Sequence, residues 1–172
     1  MEQDSVNNIQ PTVLIGNFAI TSSGSGSVLE SIYHSGVITL GSAKTSNISA
    51  ENVNKVQFVK CRLGELTCAK SSQSVSYGST STSGYNARVE ALSVIQCTIK
   101  GITALGSATI VNSYVGAPGM LSNSLSNDRM HYECTNCVVY GSLANNHVKY
   151  STFTNCILIG SNTLASTNMA SN

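Results

Sequence analysis

Asp128, Arg129, His131 and Glu133 bring an acid, a cation, an imidazole and a second acid into six consecutive positions. Hydrolysis of a glycosidic bond needs an acid and a base held a defined distance apart. Elimination needs a base and a cation or metal that neutralises a sugar carboxylate. If Asp128–Glu133 is extended, Arg129, His131 and Glu133 share one strand face, because side chains alternate with period two. Such a face could carry a polysaccharide-cleaving site. The plainer reading is a solvated strand edge beside a loop, since charged residues are mostly exposed. The chain has eight acidic residues, and only Glu2 and Asp4 lie within three positions of each other. That carboxylate density is low for cleavage chemistry, so no catalytic residue is assigned.

Cys134 and Cys137 form a CxxC with His131 and His147 nearby in sequence. Zinc would need a second ligand pair, and thiol redox chemistry would need a βαβ setting that the surrounding residues do not provide. Cys137 also has a simpler explanation, given below, so neither a metal nor a cofactor is expected. His34 has no Asp or Glu within three residues. The Gly-Ser runs at 23–27 and 78–84 lack the Lys of a phosphate loop. Tyr77 and Tyr85 sit in an uncharged Ser/Gly segment, the composition of adaptable recognition loops; both rings could equally fold back onto the body.

The elements that must position these residues announce themselves by repetition. Short apolar strands meet at a polar residue followed by Cys or Ser, then continue to a glycine: around Cys61 and Gly64, Cys97 and Gly101, Ser113 and Gly116, Cys137 and Gly141, Cys156 and Gly160. The Cys/Ser positions are 36, 16, 24 and 19 residues apart. A period near 20 residues with insertions is the mark of a solenoid. Helical periodicity is almost absent, and β-branched runs bounded by Gly, Asn and Ser predict strands of three to five residues. Asn112, Asn136 and Asn155 precede the Cys/Ser, with Lys60 and Gln96 in the other copies. Asn tolerates the left-handed backbone that a sharp corner needs. The shared position predicts that Cys61, Cys97, Cys137 and Cys156 stack as free thiols in a tight interior corner.

Residues 1–12 read as an N-terminal arm or linker. Residues 13–160 read as the β-solenoid domain, with clear repeats from about 50 and a degenerate copy at 31–41. Residues 161–172 read as a polar tail or cap. Ser71–Asn86, sixteen uncharged residues, reads as an excursion thrown out from one rung, with Val56–Leu63 and Ala91–Ile99 on adjacent rungs. A second insertion runs from Gly116 to Met130.

In 172 residues only 10% are charged, and the net charge is +1. Such a chain lacks the electrostatic footprint of a nucleic-acid binder, and no window approaches the ~20 apolar residues of a membrane span. Polarity comes from 28 Ser and 17 Asn, whose side chains can hydrogen-bond up and down a ladder where like charges would repel. Met1–Asp4 is acidic where a secretory signal would be basic. The expectation is a reducing cytoplasm, with the six cysteines as thiols.

On Asn136–Gly141 and Asn155–Gly160, with weaker versions at 112–116 and 96–101, the chain resembles the right-handed parallel β-helix proteins, which include pectate lyases and phage tailspikes. The resemblance covers roughly residues 50–160. It implies an all-β parallel β-helix with short irregular rungs and inserted loops, and it is nearly silent on function. Combined with the neutral surface, it leads to the expectation of a non-enzymatic structural or attachment protein. The best setting is a phage virion: a spike, fibre or appendage, homotrimeric, presenting loops to a host glycan or neighbouring subunit. Its place would be the virion surface after assembly in the host cytoplasm, or else the cell surface. The competing readings are a carbohydrate-active lyase or hydrolase using Asp128–Glu133, and a bacterial surface adhesin.

Overall fold

A computed structural model describes residues 11–41, 53–68, 74–77, 80–83, 89–103, 106–121, 131–140, 142–143 and 151–160. They form an all-β fold whose two large sheets are parallel throughout. Val28–Glu30, Gln57–Val59, Val89–Ile95, Gly106–Val111, His131–Thr135 and Thr152–Thr154 lie side by side, in chain order, in the first sheet. The second sheet runs Thr12–Val13, Ile32–Leu40, Arg62–Cys68, Thr98–Thr103, Tyr114–Leu121, Val138–Tyr140, Ile157–Ile159. Each repeat thus gives one strand to each sheet and turns a corner between them. No helix among the described residues is long and apolar enough to cross a membrane.

The register stacks like positions. Leu29, Phe58, Val94, Ile110, Cys134 and Phe153 form one inward column. His34, Leu63, Ile99, Val115, Val139 and Leu158 form the matching column of the second sheet. Apart from His34, both columns join one apolar core. Phe58, Ile99 and Ile110 are completely buried, each stabilising the fold by about 1.5–3 kcal/mol. Most residues beside the inward positions are exposed or half-exposed, the buried Gly64 and Gly116 excepted, which is why the segments alternate.

The corner residues Ser31, Lys60, Gln96, Asn112, Asn136 and Asn155 have φ between 49° and 55°. Left-handed backbone disfavours most side chains but suits Asn, whose short amide can bond locally. The inter-strand ladder reverses here. Asn112 N–H donates forward to Thr135 O at 3.0 Å, while Tyr114 N–H donates back to Cys97 O at 2.9 Å. The three amides also form a ladder: Asn136 Nδ2 donates to Asn112 Oδ1 at 3.2 Å, and Asn155 Nδ2 to Asn136 Oδ1 at 2.6 Å.

The structure differs from expectation at the arm and in strand length, and it places the copy at 31–41 in the stack. Thr12, placed in the arm, already pairs with Ile32 in the second sheet. The copy at 31–41 is a full member of the stack, a nine-residue strand over Ile32–Leu40. Several strands exceed three to five residues, because Gly36, Gly64, Gly101 and Gly116 lie within strands that bend without ending. The register shifts between His34 and Val37, opposite Gly64, and again between Ile99 and Gly101. A Cβ on Gly64 would collide with the backbone oxygens of Ser35 and Gly36 on the preceding rung. Only glycine lets the two backbones pass so closely.

Ser74–Tyr77 and Thr80–Ser83 pair antiparallel as a separate hairpin, within the segment read as an excursion. Phe58 pairs with Val94 and Arg62 with Thr98, so the flanking segments do lie on adjacent rungs. Residues 1–10 of the arm and the tail at 161–172 lie outside the described residues.

Candidate functional site

Asp128 and Arg129 lie outside the described residues. His131 and Glu133 belong to the strand His131–Thr135, paired with Ser107 and Thr109. They lie two positions apart on that strand. Glu133 is exposed and lines a shallow hollow of 230 Å³ with Thr135, Thr152 and Thr154. The described lining around it is made of threonines and Cys134.

The CxxC straddles a corner. Cys134 points inward from the strand before Asn136, and Cys137 lies just after it; both are free and buried. Cys137 Sγ–H donates to Thr135 O at 3.2 Å and Ile110 O at 3.3 Å. Its neighbours in the stack repeat the pattern. Cys61 reaches Val59 O at 3.2 Å, Cys97 reaches Ile95 O at 3.2 Å, and Cys156 reaches Thr154 O at 3.2 Å. Ser113 does the same with its hydroxyl, 2.7 Å from Val111 O. Each side chain gives a second donor to the carbonyl two residues earlier, which already accepts a backbone N–H from the preceding corner. That is why the position takes a small donor, Cys or Ser. Cys97 Sγ and Ser113 Oγ also accept from the backbone N–H of Cys61 and Cys97. Burial pushes the Cys134 and Cys137 thiols above the ordinary range. The hydrogen bond shared with Cys61, and then burial, do the same to Cys97. Such thiols are poor nucleophiles. Among the described residues no three His, Cys, Asp or Glu side chains are grouped to hold a metal, and His147 lies outside them.

His34 is buried at the end of the Leu63–Leu158 column. Its Nδ1 lies 3.0 Å from Leu14 O, its Nε2 has no hydrogen-bond partner among the described residues, and the Phe18 ring tilts against it. It serves the packing of the first rungs. Tyr77 belongs to the hairpin strand Ser74–Tyr77, and Tyr85 lies outside the described residues.

A different surface gathers side chains suited to binding. The residue after each Cys/Ser points outward, and the register aligns Tyr33, Arg62, Thr98, Tyr114, Val138 and Ile157 in one column on the second sheet. Tyr33, Arg62, Lys100 and Tyr114 line a shallow groove of 330 Å³ floored by Gly64 and Gly116. Arg62 Cζ sits 5.7 Å from the centre of the Tyr33 ring, within cation–π range. Next to it, Gln96, Asn112, Asn136 and Tyr114 border a second open hollow of 570 Å³. Tyr140, Ile157 and Ile159 extend the exposed apolar surface toward the last rung.

Sequence reasoning passed over this face. Its column holds tyrosine, arginine, threonine, valine and isoleucine, so no recurring residue type marks it. The signal was positional: the residue two places after the corner, which follows the Cys/Ser in five copies and Ile32 in the copy at 31–41. Compared with known proteins, the chain matches no family model, no curated protein and no solved structure.

Proposed function

We propose that the chain is a right-handed parallel β-solenoid acting as a non-enzymatic structural or attachment protein, with the outer face of its second sheet engaging a glycan. Right-handedness follows from the strong preference of parallel crossover connections for that hand. The groove of Tyr33, Arg62, Lys100 and Tyr114 carries the functional reading. Tyrosine rings offer flat apolar area with a polar tip, and the adjacent amides of Gln96, Asn112 and Asn136 offer donors and acceptors for hydroxyls. These groups ride on hydrogen-bonded strands, so they are held in place before a ligand arrives, which lowers the entropic cost of binding.

A phage particle is the setting that the resemblance to tailspikes favours. There the chain would be a homotrimeric spike or fibre component at the virion surface, contacting other virion subunits. Trimer packing would also cover the open edges of the last strands, which otherwise invite pairing. Light scattering should then give the mass of a trimer.

The non-enzymatic reading is tested by product analysis. Incubation with surface polysaccharide should leave the polymer length unchanged, and Glu133→Gln should alter nothing. Oligosaccharide release that disappears with Glu133→Gln would overturn it in favour of a lyase or hydrolase.

A further inference from the structure

The groove on the second sheet is not neutral, although the chain nearly is. Arg62 and Lys100 both line it, and among the described residues no Asp or Glu does. The ion pair Lys60–Glu30, at 3.5 Å, belongs to the neighbouring corner and first-sheet strand. We infer that the ligand of this face is an acidic polysaccharide, lying across the rungs with its sugar carboxylates on Arg62 and Lys100 and its rings on Tyr33 and Tyr114. This inference rests on the proposed glycan-binding role and adds the charge class of the glycan.

Register supplies the spacing. Tyr33, Arg62, Thr98 and Tyr114 occupy the same position on four successive rungs. Rungs in a hydrogen-bonded sheet are about 4.8 Å apart, so the two rings stand roughly 14 Å apart along the stack. That leaves room for a few sugar units between them. Arg62 lies on the rung after Tyr33, and Lys100 on the rung before Tyr114. A chain crossing the rungs therefore meets ring, cation, cation, ring in order.

The groove exists because its floor is bare. Gly64 and Gly116 flank Lys100 on the adjacent rungs, and Gly64 can carry no side chain because the preceding backbone crosses it. The lysine can lie along this floor toward the arginine. A guanidinium binds a carboxylate in a two-pronged fashion, and the ammonium adds a second point charge. The same cations argue against a second copy of this chain on the middle of the face, since self-packing in register would bring Arg62 against Arg62.

The test is calorimetry with a sized uronic-acid hexasaccharide and its carboxyl-reduced neutral counterpart. The acidic form should bind, weaken as salt is raised, and lose about tenfold in affinity with Arg62→Ala or Lys100→Ala. Tyr114→Ala should weaken both forms. Circular dichroism melts on each variant check that the exposed substitutions leave the fold intact. Equal binding of acidic and reduced forms, unchanged by Arg62→Ala with Lys100→Ala, would overturn the inference while leaving the glycan-binding role standing. Binding of neither form, or a Tyr114→Ala change that alters only the oligomeric mass, would overturn both.

Discussion

Asn136 carries two jobs in one side chain. It adopts a left-handed backbone with φ of 53°, and its amide is the middle link between Asn112 and Asn155. Asn136→Gly removes only the second job, and Asn136→Ala removes both. Chemical denaturation should show Asn136→Ala less stable by about 1–3 kcal/mol, combining the left-handed penalty with the lost hydrogen bonds. Asn136→Gly should fall between it and the wild type. At the next position Cys137→Ser should be tolerated, because Ser113 already fills that place, whereas Cys137→Ala loses the side-chain hydrogen bonds to Thr135 O and Ile110 O. The thiols also set a pH limit. Burial raises Cys134 and Cys137 above their unfolded value of 9.0, so the folded state holds these protons more tightly than the unfolded chain does. The stability this contributes is complete below pH 9.0 and declines as pH rises past it. Melting temperature should therefore fall above that pH, and less steeply in Cys134→Ala with Cys137→Ser. An alkaline limb identical in both proteins would remove the thiols from the explanation.

Strands and corners are the elements whose legibility differs most. The corner was readable because chemistry repeats there: a left-handed residue wants Asn, and the carbonyl before it takes a small second donor. Cys61, Cys97, Cys137 and Cys156 therefore revealed both the register and the inside of the stack, with Cys156 half-exposed on the last rung. Strand length was not readable, because glycine punctuates a sequence whether it ends a strand or bends it. At Gly64 the backbone of the preceding rung decides the matter, and that contact is remote in sequence. Gly64→Ala should consequently cost about 1–3 kcal/mol as an overpacking substitution, measured by urea denaturation; a neutral result would mean that the rungs can separate at the bend. Among the described residues the strands Ser74–Tyr77 and Thr80–Ser83 pair only with each other. Removing residues 71–86 and closing the gap should leave cooperative unfolding in place. Loss of cooperativity would make that segment part of the stack.

At the scale of the whole molecule, repetition fixes the shape but leaves the outward faces free to vary. The inward columns stay apolar from rung to rung, while the outward column on the second sheet changes from Tyr33 to Arg62, Thr98 and Tyr114. That freedom is why the fold was largely legible and the proposed binding face was not: packing constrains a column to one chemistry, whereas solvent does not. It also explains why the Asp128–Glu133 cluster attracted notice first. Neighbours in sequence are easy to see, and neighbours across rungs appear only once the register is known.

The most direct test of attachment through this face is retention of the intact protein on glycan-bearing host cells, comparing wild type with the Tyr33→Ala, Tyr114→Ala double variant. Both rings are more than a third exposed, so their removal should leave the melting temperature nearly unchanged. Retention should be saturable for the wild type and fall by at least tenfold for the variant, as expected when two ring contacts are removed. Equal retention of the two proteins, with melting temperatures unchanged, would contradict attachment through the second sheet.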